Sequence, residues 1–148
     1  MLKVITAIAA LMVTSSALAQ SDLTVSDLAK NEATRTAFNQ MVKGHKLPAW
    51  VSKGGTSSPA KTVILGDESW QVFSACKPHD CGAERVAVLW SEKSQQMSGV
   101  LSVVNENTTQ EKLTWMNVSD ALSIDGKTVL FAALSGSLEN HPDAFNYK

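Results

Sequence analysis

The chain has 148 residues, with 13 basic side chains against 14 acidic ones and a formal net charge of −1. That balance excludes a strongly basic nucleic-acid binder of the usual kind, and it says almost nothing about other partners. The N-terminus reads as a secretory signal: Lys3 supplies a positive start, Val4 to Val13 is almost wholly apolar, and Ala17-Leu18-Ala19 fits the small-x-small cleavage rule. A signal peptide over residues 1–19 is therefore expected, with the mature chain starting at Gln20 and exported to an oxidising compartment. Its apolar stretch is shorter than the roughly 20 residues needed to cross a bilayer, and no cysteine follows the cleavage position to carry a lipid anchor. No membrane association is expected. Removing those 19 residues from 148 leaves 129, enough for one domain (20–148) with a real core.

In chain order, Asp27 to Lys43 is predicted to be the first helix. Thr34, Ala37, Phe38, Met41 and Val42 follow the i, i+3, i+4, i+7, i+8 spacing of one face, Ser26 or Asp27 caps the start, and Gly44 ends it. Pro48 to Val51 adds one further turn, since proline suits a first helical position. Lys53 to Pro59, rich in Gly and Ser, reads as loop. Antiparallel strands follow at Lys61–Leu65, Ser69–Ala75, Arg85–Ser91, Met97–Val104 and Lys112–Asn117. A second helix is predicted over Ile124–Ser135, with Leu130, Phe131 and Leu134 as its core stripe and Gly136 as its stop, and His141–Lys148 reads as a tail. The economical architecture is α+β: a central antiparallel sheet of about five strands with two main helices packed on one face. Trp50, Trp70, Trp90 and Trp115 are expected in the core or half-buried on the sheet.

The only two cysteines, Cys76 and Cys81, bracket Lys77-Pro78-His79-Asp80 between two predicted strands. In an oxidising compartment such a pair forms a disulfide, closing a small ring at a hairpin tip. Chain-entropy arithmetic assigns such a ring only about 2 kcal/mol, so shape is a better reason for it than stability. Pro78 fixes its own φ and pushes Lys77 toward extended backbone, constraining the ring twice over. A simple hairpin clip is the plainest alternative. A metal site using Cys76, His79, Asp80 and Cys81 would need ligands in a small ring to converge on a tetrahedron, without the usual C-x2-C spacing. No metal and no cofactor are implied. Neither C-x-x-C near a βαβ pattern nor a Gly-x-Ser-x-Gly elbow is present, and the acidic residues show no recognisable pairing for acid–base work. His45 and His141 read as ordinary surface histidines. His79 differs by its place at the tip: its two ring nitrogens can each meet a separate partner, and the reference histidine pKa of about 6.5 allows either charge state near neutrality. A cleft lined by two carboxyl groups, as in glycoside hydrolases, suits such a probe.

At this motif the chain resembles the inhibitor of vertebrate lysozyme (Ivy) family, bacterial periplasmic proteins that block C-type lysozymes. Cys76-Lys77-Pro78-His79-Asp80-Cys81 matches the family's hallmark loop at every position. The similarity extends through Trp50-Val51, Gly55-Thr56-Ser57-Ser58-Pro59 and Phe131-Ala132-Ala133-Leu134. The resemblance implies a central antiparallel sheet with helices on one side and a protruding disulfide loop that plugs the lysozyme cleft. It implies that His79 bonds the catalytic carboxyl groups, while Lys77, Pro78 and Asp80 support the loop or meet the cleft walls. The protein would then be a non-enzymatic inhibitor, monomeric or homodimeric. Two other functions compete with this one: restraint of the cell's own lytic transglycosylases by the same loop, and a cell-wall-acting enzyme using His79 and Asp80 as acid–base groups.

Overall fold

The structure is a computed structural model, and it describes residues 22–148; the expected signal peptide and its cleavage position lie outside them. Five strands form one sheet in sequential order, each antiparallel to the next: β1 (Thr56–Leu65), β2 (Glu68–Cys76), β3 (Glu84–Ser91), β4 (Gln96–Asn105) and β5 (Gln110–Met116). The number of strands and their antiparallel pairing agree with the alternation in the sequence. β1 begins earlier than expected, because Thr56–Ser58 pairs with Ser74–Cys76. The register then shifts between Ser58 and Lys61, placing Pro59 and Ala60 in a bulge. Pro59 cannot donate to a ladder, and an edge-strand bulge is where proline is tolerated. A Gly-, Ser- and Pro-rich stretch thus reads as loop while its second half, from Thr56, is strand.

The predicted first helix is two helices. α1 (Val25–Leu28) and α2 (Arg35–Val42) are separated by a turn, in which the Ala33 N–H donates to Asn31 Oδ1 at 2.9 Å. The buried Thr34 hydroxyl donates to the Leu28 carbonyl at 2.8 Å. Short polar side chains that satisfy the local backbone in this way compete with continued helix. The start is set by Thr24 rather than Ser26 or Asp27: the Thr24 N–H and hydroxyl both donate to the Asp27 carboxylate, at 2.9 and 2.7 Å. The expected extra turn is α3 (Ala49–Lys53). After β5 come a short 3-10 turn at Asp120–Leu122, then α4 (Asp125–Ser135), which ends at Gly136 in left-handed backbone (φ 80°), and α5 (Ser137–Asn140).

The two main helices do not share a face. Phe73, Ala75, Val86, Val88 and Trp90 pack with Phe38, Met41 and Val51 from the α1–α3 side. Trp70, Val72, Ala87 and Leu89 pack with Val129, Leu130 and Leu134 from the α4 side. Successive strand residues point to opposite faces, so the uninterrupted buried run Val86–Ser91 requires cover above and below. The protein is a helix–sheet–helix sandwich, and the expectation of one covered face is corrected accordingly. Trp70 and Trp90 are buried, and Trp50 and Trp115 half-buried, as expected. Within α4, Val129, Leu130 and Leu134 face the sheet, whereas Phe131 is 44% exposed, so its assignment to the core stripe is also corrected. The C-terminal tail is docked: the Tyr147 N–H donates to the Ile64 carbonyl at 2.8 Å and Asn146 Oδ1 accepts from the Ile64 N–H at 2.8 Å, shielding part of the β1 edge.

Candidate functional site

The β2–β3 hairpin carries the site. Its last regular pair is Cys76↔Arg85, and the ladder continues one step further because the Lys77 N–H donates to the Glu84 carbonyl at 3.0 Å. Cys76 and Cys81 are joined as a disulfide with a Cα–Cα distance of 4.8 Å. Their sulfurs are bonded to one another and so cannot serve as thiolate metal ligands. Inside the ring the Asp80 N–H donates to the Lys77 carbonyl at 3.0 Å, and just beyond it the Ala83 N–H donates to the Asp80 carbonyl at 3.1 Å. The first of these turns has Pro78 at its second position and His79, at φ 62°, at its third. Proline followed by left-handed backbone is the type II pattern. Left-handed backbone costs a non-glycine residue roughly 1–2 kcal/mol, although histidine enters that region more readily than most. A covalently closed ring holds His79 there.

The result is a polar tip with divided roles. His79 is exposed, whereas Lys77, Pro78 and Asp80 are half-buried. The Lys77 ammonium lies 3.2 Å from Asp80 Oδ2 and 3.3 Å from Glu84 Oε1. Its pKa is raised, first by the hydrogen bond to Asp80 and then by the bond to Glu84. The other oxygen of Glu84, Oε2, accepts the indole N–H of Trp50 at 2.6 Å. Lys77 and Asp80 are thus bonded to each other, while His79 makes no side-chain hydrogen bond among the described residues. His45 and His141 are exposed and lie apart from the ring in sequence and fold elements. Among the described residues no group of three or more His, Cys, Asp and Glu side chains is arranged to hold a metal ion.

Glu84 and Gly55 belong to this site although nothing in the hexapeptide announces them. Gly55 follows α3 and lies close against the Trp50 ring and the Cys76 carbonyl, leaving no room for a Cβ. Glu84 opens β3, three residues past Cys81, where its alternation with Val86 and Val88 puts it on the face that α3 covers. That spacing was the available signal for Glu84; the partnership with Trp50, 34 residues away, left none.

Comparison with known proteins places the chain in a family. The family described as "Inhibitor of vertebrate lysozyme (Ivy)" matches residues 33–130. Proteins named "Inhibitor of vertebrate lysozyme" from Escherichia coli strain K12 and from Escherichia coli O157:H7 are each 71% identical over 148 residues, covering 100% of this chain and 94% of the relative. One of the same name from Pseudomonas aeruginosa is 38% identical over 56 residues, covering 36% of this chain and 37% of that protein. The chain belongs to the inhibitor of vertebrate lysozyme (Ivy) family, a family of inhibitors rather than of enzymes.

Proposed function

We propose that this protein inhibits vertebrate, C-type lysozyme by inserting the Cys76–Cys81 loop into the catalytic cleft, with His79 bonded to the two catalytic carboxyl groups. The observation that carries the reading is the exposed His79 at the tip of a disulfide-closed turn, in a chain whose family is defined by lysozyme inhibition. The cleft of such an enzyme holds one protonated carboxyl group, the general acid, and one ionised carboxylate. A neutral imidazole has one N–H donor and one acceptor nitrogen. The N–H donates to the carboxylate, the other nitrogen accepts a hydrogen bond from the O–H of the protonated acid, and both groups are occupied. The imidazole contains no glycosidic bond, so the enzyme is filled without turnover. Export to the periplasm fits both the N-terminal signal read from the sequence and a disulfide, which persists in oxidising compartments.

Titration calorimetry against a C-type lysozyme tests this. His79→Ala should weaken binding by about 2 kcal/mol or more, the level of an interface hot spot, which is about 30-fold in Kd. An unchanged Kd removes His79 from this role.

A further inference from the structure

We infer that Trp50 and Glu84, both outside the six-residue ring, are positioning residues for the recognition loop: Trp50 orients the Glu84 carboxylate, and Glu84 holds Lys77 against Asp80. This rests on the reading of the loop as the element that enters the partner, and it deepens that reading.

The argument is one of divided valence. Glu84 has two carboxylate oxygens, and they serve different elements: Oε1 faces the Lys77 ammonium at 3.3 Å, Oε2 takes the Trp50 indole N–H at 2.6 Å. Lys77 is gripped twice by the same residue, because its backbone N–H also donates to the Glu84 carbonyl at 3.0 Å. Its ammonium then reaches across the turn to Asp80 at 3.2 Å. Trp50 itself is fixed: its neighbour Val51 is 2% exposed in the core, and Gly55 packs against its ring. An uninterrupted set of contacts therefore runs from the core through α3 to the far side of the ring. Its polar members spend their hydrogen bonds on one another, and the side chain left over at the tip is His79.

Such a network adds little to global stability, since solvent screens ion pairs this exposed. Its effect falls on binding, where a loop already held in its bound shape loses less freedom on association. A role confined to the fold would move the melting temperature; a positioning role moves Kd.

The test is a double-variant cycle with the disulfide intact, measuring Kd for a C-type lysozyme and melting temperature for Glu84→Gln, Lys77→Met, the double variant and His79→Ala. Glu84→Gln should bind about three- to tenfold more weakly while melting within about 5 °C of the parent. The double variant should be no weaker than the weaker single one, because Glu84 acts through Lys77. Trp50→Phe, which keeps a ring and drops the N–H, should weaken binding in the same direction by a smaller factor. If His79→Ala weakens binding and Glu84→Gln does not, the inference is overturned and the loop reading stands. If the two substitutions weaken binding by independent, multiplying factors, Glu84 and Lys77 act separately and the inference is again overturned. If His79→Ala is without effect, the loop reading itself fails and takes this inference with it.

Discussion

Gly55 and Cys76 approach so closely that a side chain cannot stand between them. A Cβ on Gly55 would lie 3.0 Å from the Cys76 carbonyl oxygen and 2.9 Å from two carbons of the Trp50 ring. The glycine is needed here for space: it lets α3 and the start of β1 press against the root of the disulfide loop. Gly55→Ala must displace either the indole or the β2 backbone. Overpacking of this kind costs about 1–3 kcal/mol. Thermal melting should show that loss, and lysozyme inhibition should fall with it, because the displaced groups lead directly to Glu84 and Lys77.

The disulfide is expected to matter more for binding than for folding. The ring spans a sequence separation of 5, and the chain-entropy estimate for so short a loop is about 2 kcal/mol. The body of the protein is held instead by two core clusters on opposite faces of the sheet. Replacing Cys76 and Cys81 together by Ser should preserve the far-ultraviolet circular dichroism and a cooperative melt. Affinity for lysozyme should drop, because His79 is no longer confined to its left-handed backbone. A serine variant that fails to fold would assign the disulfide to the fold.

Much of this molecule can be read from the chain, and the failures have physical causes. The strands were legible because Trp70/Val72 and Phe73/Ala75 alternate, and the hairpin tip because the two cysteines lie between β-forming runs. Cover on both faces was available in Val86-Ala87-Val88-Leu89-Trp90, an apolar run without alternation, which is what a strand buried on both sides requires. The break between α1 and α2 was not legible, since it depends on the Thr34 hydroxyl reaching the Leu28 carbonyl, a bond that periodicity cannot register. In the site, the hexapeptide named the tip residues. It could not name Trp50, whose bond to Glu84 exists only after α3 has docked on the sheet.

Stability should fall in acid for a stated reason. The Glu68 carboxylate, at the start of β2, accepts a hydrogen bond from the hydroxyl of Ser91, at the end of β3. Its pKa is lowered from the ordinary 4.5, first by that bond and then by the Ser94 hydroxyl. Asp27 is lowered likewise, by the hydroxyl and N–H of Thr24. A group with a depressed folded-state pKa contributes stability that is complete above its unfolded value and is lost as pH falls through the folded one. The contribution of Glu68 is therefore present at pH 6 and disappears progressively below 4.5. Glu68→Gln should melt lower than the parent at pH 6, by about 1 kcal/mol or less for so accessible a group. The gap between the two should close as pH falls below 4.5, and a gap that widens in acid would contradict the assignment.

Adjacent residues on α4 provide a sharp test of how that helix is rotated against the sheet. Leu130 has no exposed surface and packs with Val72, Leu89 and Val129, whereas Phe131 is 44% exposed. Both are large and apolar, so composition alone assigns them equal weight. One residue along a helix is a rotation of about 100°, since 3.6 residues complete a turn, and that rotation separates core from solvent here. Leu130→Ala leaves a cavity that the sheet behind it cannot close and should cost about 2–5 kcal/mol. Phe131→Ala removes a ring that keeps nearly half its surface in water, and should cost about 1 kcal/mol or less. Urea denaturation of the two variants reads the difference directly in the midpoint. Equal losses would mean that α4 presents a different face to the strands.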